Sequence, residues 1–587
     1  MSQKPIRALS LSLLLVAFVL SPARPAGAAR EKLELRYLPL PLPGAPSAVV
    51  TADVDGDGHR DLAVVVAYTR WGQTEIEESV TMDDVEGLVE VLTVIPSLVD
   101  RREIRVFPGR PDGGFGPGSL ALPIDPTVLT VEAGPPGLPV VAMTDEGLSV
   151  LRMRSGAGGV GGLPELSWEQ VIAERPVLAG TGAFLPDLGL VRDVDGDGRG
   201  DVLFPTAEGL SIYLSGGSSS GAGLGPSPAS RVRFPVDDLQ RREGGAMVRR
   251  HPLPELRDVD GDRRPDLVLL HPAGGLRGFR VLRNLGGGRF GEPLAPLGPY
   301  QEPPPSGRER RQDRDDRGER RERSGPAGTP VPAWFGDLDG DGRAEYVTQE
   351  EKQLPSDAGM RQEMQAAKRP RFTYRLHRSR ADLSMEPTPY QQFEVEGYAL
   401  DEGDGDGELR LPGGLQDLNG DGRQDLVLLT LDFSMLQAVK IMAVQRIGLG
   451  LDFHLWCQGS AGGFKQVRGT DLSGKFNLNL KNLKIGHVSQ FAGDFDGDGL
   501  PEFVQMGRGR DVTIHRGRRD CAYNERPDLA LRLEEEPRDL SLAQIRDLDG
   551  DKLSDLLVIQ PQPPRRTDDK GVTQPVRLDL YLSGGGR

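Results

Sequence analysis

Seven times along this chain the frame Asp-x-Asp/Asn-Gly-Asp-x-x-x-Asp/Glu recurs, and each copy runs directly into a short apolar stretch. The copies begin at Asp53, Asp193, Asp258, Asp337, Asp417, Asp494 and Asp547, reading DVDGDGHRD, DVDGDGRGD, DVDGDRRPD, DLDGDGRAE, DLNGDGRQD, DFDGDGLPE and DLDGDKLSD. Any fold for this chain must build the same turn seven times.

The chemistry of the frame is that of a hard cation. Short acidic or amide side chains at alternate positions, a turn-forming glycine and a carboxylate at the ninth position supply oxygen ligands suited to Ca²⁺; Mg²⁺, which keeps waters and demands near-ideal octahedra, fits less well. In the first loop the ligands are Asp53, Asp55, Asp57 and Asp61 with the seventh-position carbonyl of His59. The second supplies Asp193, Asp195, Asp197 and Asp201 with Arg199, the third Asp258, Asp260, Asp262 and Asp266 with Arg264. The fourth supplies Asp337, Asp339, Asp341 and Glu345 with Arg343, the fifth Asp417, Asn419, Asp421 and Asp425 with Arg423. The sixth supplies Asp494, Asp496, Asp498 and Glu502 with Leu500, the seventh Asp547, Asp549, Asp551 and Asp555 with Leu553. A bland alternative is a set of Asp-Gly turns whose carboxylates cap backbone amides. Seven copies in register favour metal.

An EF-hand needs a bidentate Glu at position twelve and flanking helices. Here position twelve is Val64, Phe204, Leu269, Thr348, Leu428, Gln505 or Val558, and the segments that follow, such as Leu62-Ala-Val-Val-Val and Leu267-Val-Leu-Leu, read as strands. The loops therefore join strand to strand.

With these loops, and with second strands leading into Gly-rich turns as in Ile104-Arg-Val-Phe with Gly113-Gly-Phe and His454-Leu-Trp with Gly462-Gly-Phe, the sequence resembles the FG-GAP/VCBS repeat family. The resemblance covers nearly all of the chain after its N-terminal segment. It implies a β-propeller with Ca²⁺ in hairpin loops, and no single activity.

The loop spacing counts the units. From Asp193 onward the steps are 65, 79, 80, 77 and 53 residues, but Asp53 to Asp193 spans 140. Inside that gap Leu129-Thr-Val-Glu and Val140-Val-Ala-Met-Thr-Asp-Glu-Gly-Leu-Ser-Val echo Leu190-Val-Arg-Asp and Val202-Leu-Phe-Pro-Thr-Ala-Glu-Gly-Leu-Ser-Ile, with Gly134-Pro-Pro-Gly in place of the acidic turn. That makes eight units, seven of them metal-bearing. Leu33–Leu40 precedes the first unit and Arg577–Leu582 ends the last, each an edge strand without a partner; pairing them would remove both edges. The expected fold is all-β, one closed propeller of eight blades with loop or helical insertions, seven blades being the alternative.

Lys4 and Arg7 precede the apolar run Ala8–Leu20, followed by Ala26-Gly-Ala28, so residues 1–28 read as a cleavable signal peptide and residues 29–587 as the propeller of a secreted or periplasmic protein. Met435–Leu451, interrupted by Lys440 and Arg446, reads as an amphipathic or buried element rather than a membrane span. The formal net charge of −16 belongs to the loops: their 27 carboxylates exceed it, leaving the remainder net basic. Metal would relieve that concentrated repulsion.

The two cysteines, Cys457 and Cys521, are compatible with a disulfide in an exported chain or with two buried thiols. Residues 303–328 form an insertion; within Pro303–Arg323, eight arginines alternate with six acids, a polyampholyte that reads as a disordered loop and argues against a nucleic-acid patch. Arg70–Arg102 and Lys352–Arg371 read as ordered loops or short helices, and Gly403-Asp-Gly-Asp-Gly-Glu as a solvent-exposed turn. With scattered histidines and no Gly-x-Ser-x-Gly elbow, the sequence points to a binding, adhesion or scaffold module for an extracellular or envelope protein or glycan. The alternative is a calcium-dependent carbohydrate-active enzyme resembling propeller-type polysaccharide lyases. Among the loops, Arg263 and Lys552 replace the sixth-position glycine, which predicts weaker third and seventh sites.

Overall fold

The computed structural model describes residues 31–584 apart from 70–98, 126–127, 155–163, 177–188, 207, 217–222, 234–240, 244–245, 249–253, 271–278, 293–330, 352–370, 397–413, 433–445, 461, 471, 480–483, 508, 539, 541–542, 563–564, 567–571 and 574. The signal segment, the insertion at 303–328, the acidic turn at 403–408 and most of the Arg70–Arg102 and Lys352–Arg371 segments lie outside the described residues. The described residues are all-β, without a helix, and so contain no helix long and apolar enough to cross a membrane.

Each acidic loop is the turn of a hairpin. The strand that leaves the first loop is a near-continuous apolar run, and every residue from Asp61 to Tyr68 is buried. A strand covered on both faces loses the polar alternation of a half-exposed one. Such hairpins extend into antiparallel meanders. The first sheet runs Ala45–Ala52, Asp61–Thr69, Val99–Phe107 and Leu120–Ile124. The second, Thr130–Ala133, Val140–Thr144, Gly147–Arg154 and Glu165–Ile172, is the unit with Gly134-Pro-Pro-Gly in its turn, so its strands persist without the acids. The third runs Val191–Arg192, Asp201–Thr206, Gly209–Tyr213 and Ser230–Arg233. The fourth has three strands, Glu255–Arg257, Asp266–Leu270 and Phe279–Leu282. The fifth runs Val331–Gly336, Glu345–Glu351, Arg371–Arg378 and Gln391–Glu396.

The sixth and seventh meanders are fused. Gly414–Gln416, Asp425–Asp432, Arg446–Gln458 and Leu472–Asn479 pair in order, and Leu472–Asn479 then pairs with Lys484–Phe491, the first strand of the seventh, which continues through Phe503–Met506, Asp511–His515 and Leu529–Arg532. The apolar element read at Met435–Leu451 thus enters the described structure as a strand from Arg446, with Leu451 and Phe453 buried. The eighth meander, Gln544–Arg546, Asp555–Pro561 and Val576–Leu582, takes its fourth strand from the other end of the chain: Arg36–Leu42 pairs antiparallel with Val576–Leu582 from Arg36↔Leu582 to Leu42↔Val576. The expected pairing of the two edges is present.

Apolar side chains between sheets form eight clusters, each bridging consecutive meanders. Val50, Val65 and Val106 of the first meet Val131, Val140 and Leu151 of the second. Met143 and Val150 meet Val202 and Phe204, Leu203 and Ile212 meet Leu267 and Leu282, and Val268 and Val281 meet Phe335 and Tyr346. Val347 and Leu376 meet Leu426 and Leu428, Leu429 and Phe453 meet Phe503 and Phe491, and Val504 and Ile514 meet Leu556 and Val558. Finally Leu557, Leu578 and Leu580 of the eighth meet Leu62, Val64 and Phe107 of the first. Full burial of each such side chain is worth roughly 1.5–3 kcal/mol, so the interfaces between meanders carry the bulk of the apolar stabilisation. A disulfide joins Cys457 of the sixth meander to Cys521 of the seventh, deciding between the two states left open by the sequence.

Candidate metal centres

All seven acidic loops have one hydrogen-bond skeleton. The first-position carboxylate accepts the fourth- and sixth-position amides: Asp53 takes Gly56 at 2.7 Å and Gly58 at 2.9 Å, and Asp193, Asp258, Asp337, Asp417, Asp494 and Asp547 repeat the pair. The third-position oxygen of Asp55, Asp195, Asp260, Asp339, Asn419, Asp496 or Asp549 accepts the fifth-position amide. Asp57, Asp197, Asp262, Asp341, Asp421, Asp498 and Asp551 accept the amides of His59, Arg199, Arg264, Arg343, Arg423, Leu500 and Leu553. The tight curl needs a left-handed residue at position six: the five glycines there have φ from 79° to 91°, and Arg263 at 66° and Lys552 at 73° adopt the same conformation.

The ninth-position carboxylate is the buried end of the site. One oxygen of Asp61, Asp201, Asp266, Asp425 or Asp555 accepts the second-position amide, and the other accepts an amide from the end of the third strand: Gly109, Ser215, Asn284, Gln458 or Ser583. Glu345 and Glu502 make the first contact, with Leu338 and Phe495. Burial raises all seven carboxyls above the usual range: Asp61 and Asp201 upward, Asp266 and Asp425 to about 6, Asp555 to about 7, and Glu345 and Glu502 to about 8. Burial, reinforced by neighbouring loop carboxylates, also pushes Asp55, Asp195, Asp339, Asp498 and Asp549 upward.

Ligand atoms converge. In the first three loops the carboxylates of positions one, three and five offer oxygens all within 4.8 Å of one another, and in the fourth Asp337, Asp339 and Glu345 do so. All are hard oxygens, the donor set for Ca²⁺. Basic side chains lean on several of them: Arg283 on Asp260 at 3.4 Å, Arg516 on Asp496 at 2.6 Å, Arg60 on Asp547 at 3.3 Å, and Arg423 on Asp421. Guanidinium groups thus offset part of the carboxylate charge in the third, fifth, sixth and seventh loops. Asp425 also lies within 4.8 Å of both Cys457 and Cys521, but the disulfide leaves no thiolate there.

The loops sit side by side. A Cβ on Gly261 of the third loop would lie 2.6 Å from the Gly342 carbonyl of the fourth. Gly340 likewise meets Arg423, Gly420 meets Leu500, Gly497 meets Leu553, and Gly550 meets Arg60 of the first loop. In the second sheet Pro135 of the acid-free turn approaches Gly200 of the second loop. The third-strand amides, with Arg283 and Arg516 beside them, are the part that reading the sequence missed, because they come from outside the loop; Arg60 and Arg423 lie within the acidic loops themselves.

The chain matches no family model, and no curated protein matches it.

Proposed function

We propose that this chain is an exported, calcium-dependent β-propeller of eight blades that works as a binding, adhesion or scaffold module for an extracellular or envelope protein or glycan. The observation carrying the reading is the cyclic order of the cores: among the described residues eight meanders share eight apolar clusters, the last with the first, while seven acidic loops of one hydrogen-bond skeleton lie at one end. Calcium would bind in the loops through the seven ligand sets and neutralise their carboxylates. The disulfide suits an oxidising compartment, as does the signal-like segment at residues 1–28.

The strand order also favours a binding face. The long connections Thr69 to Val99, Glu351 to Arg371 and Asp432 to Arg446 join second to third strands, and Ile172 to Val191, Arg233 to Glu255 and Glu396 to Gly414 join one meander to the next. Antiparallel alternation starts both kinds at the end opposite the acidic loops. Most of these residues lie outside the described structure; long connections between strands are where recognition concentrates.

Calorimetry on the protein without residues 1–28 tests the metal reading: about seven Ca²⁺ are expected, with a lower melting temperature in chelator. One ion or none, with no thermal shift, overturns it. Arrays of glycans and envelope components, probed with and without Ca²⁺, test the module. Release of unsaturated oligosaccharides would instead assign an enzyme.

A further inference from the structure

The strand register sets one third-strand residue beside each loop, and at the third, fifth and sixth loops its side chain reaches the third position. The tenth loop residue pairs across the sheet with a third-strand residue, in the order Leu62↔Phe107, Val202↔Tyr213, Leu267↔Leu282, Tyr346↔His377, Leu426↔Trp456, Phe503↔His515 and Leu556↔Tyr581. The residues that follow these partners are Pro108, Leu214, Arg283, Arg378, Cys457, Arg516 and Leu582. Their chemistry tracks the loop beneath. Arg283 Nε lies 3.4 Å from Asp260 and Arg516 Nε donates to Asp496 at 2.6 Å.

At the fifth loop the overlying residue is a disulfide sulfur, and the third position is the only amide of the seven. Asn419 donates to Cys457 Sγ at 3.5 Å and to Asp421 at 3.1 Å. A carboxylate against that half-buried sulfur would be partly desolvated without a donor; the amide removes one negative charge from the loop. At the seventh loop Leu582 gives no charge, but Arg36 from the N-terminal strand acts on Asp549 and Arg60 pairs with Asp547 at 3.3 Å. Among the described residues, only the first and second loops join an apolar residue at the register position, Pro108 or Leu214, to a third-position aspartate, Asp55 or Asp195, that makes no salt bridge. These two loops flank the acid-free second meander.

We infer that Arg283 and Arg516 are built-in counter-cations that hold their loops folded without metal and lower their calcium affinity, so that calcium control falls chiefly on the Asp53 and Asp193 loops. This rests on the calcium reading above. A guanidinium a few ångströms from the ion opposes it with a repulsion of the same order as the attraction it gives the carboxylates. The arginine therefore trades metal affinity for metal-free order.

The test is calcium titration of the wild type and of Arg283→Gln, Arg516→Gln and Arg516→Lys, read by calorimetry, with melting in metal-free buffer alongside. Two tight sites and a weaker class are expected in the wild type. Each Gln variant should tighten one weak site by about tenfold and lower the metal-free melting temperature, with Arg516→Lys restoring both values toward wild type. Asp55→Asn and Asp195→Asn should each remove a tight site. Seven equal sites, or Gln variants with unchanged affinity and unchanged metal-free melting, overturn the inference and leave the calcium reading standing. Absence of calcium binding at every loop overturns both.

Discussion

Arg263 and Lys552 stand where five sister loops have glycine, and replacing them with glycine should stabilise the protein. An L-residue in the left-handed region costs roughly 1–2 kcal/mol, and both residues are there, at φ 66° and 73°. Space is not the issue: a Cβ on Gly58, Gly198, Gly422 or Gly499 would meet nothing within 4 Å. The cost is therefore in the backbone alone, and it is present whenever the loop is curled. Glycine gives back about 0.5–1 kcal/mol through its freer unfolded chain, leaving a net gain of about 0.5–1 kcal/mol for Arg263→Gly. Lys552→Gly should gain at least as much, since the Lys552 amide reaches Asp547 at 3.2 Å where the Arg263 amide reaches Asp258 at 2.8 Å. Arg263→Asn should recover part of the gain, because asparagine tolerates this conformation. The reciprocal change, Gly58→Arg, should cost about 1 kcal/mol. Urea unfolding in metal-free buffer reads all four. Loss of stability in Arg263→Gly, or a neutral Gly58→Arg, would refute the argument that the left-handed curl carries a backbone cost of its own.

Metal-free protein should melt higher at pH 5 than at pH 8.5. The carboxyls of Asp266, Asp425, Asp555, Glu345 and Glu502, held up to between about 6 and about 8 by burial, bind protons more tightly folded than unfolded. Their contribution is complete below the ordinary carboxylate value and is lost as pH rises through the folded values; a melting temperature flat or rising over this range contradicts the assignment. Cys521→Ser opens a bridge spanning 64 residues, which should cost roughly 4 kcal/mol on the loop-entropy estimate; urea unfolding in which the wild type and the variant match without reductant would show the bridge to be idle. Deleting residues 31–42 strips Leu40 and Leu42 from the core shared by the eighth and first meanders and bares the Val576–Leu582 edge; light scattering should report aggregation, and a monodisperse truncation argues against the pairing.

The repeating turn and the strand after it were legible because both are local: carboxylates at alternate positions need only their own loop, and Leu62 to Val66 needs only burial on two faces. The second meander could be found by its echo of the third, although Gly134-Pro-Pro-Gly had erased the motif. Pairing of Arg36–Leu42 with Val576–Leu582 followed from two apolar segments that lacked a neighbour. What stayed hidden depends on register between strands. Nothing around Arg283 or Arg516 says which loop it overlies until Leu267↔Leu282 and Phe503↔His515 are known. The union of Cys457 with Cys521 required the sixth and seventh meanders to be neighbours, and their fusion through Leu472–Asn479 has no signature in spacing.

The strand at Arg36–Leu42 has a consequence for how the molecule comes to be folded. Tyr37 hydrogen-bonds Asp579 at 3.0 Å across 542 residues of chain, so an early-made segment has no partner until nearly everything else has been made. Its apolar side must wait, either exposed or guarded. Contacts of such separation slow folding and leave intermediates open to misassociation, so the last step should be a slow docking of the two extremities. The same proximity means that a short peptide linking residue 584 to residue 31 would let new extremities be cut elsewhere, for instance between Thr69 and Val99. A permuted chain of that kind would carry the eighth meander as a contiguous stretch and should acquire its native core without the wait.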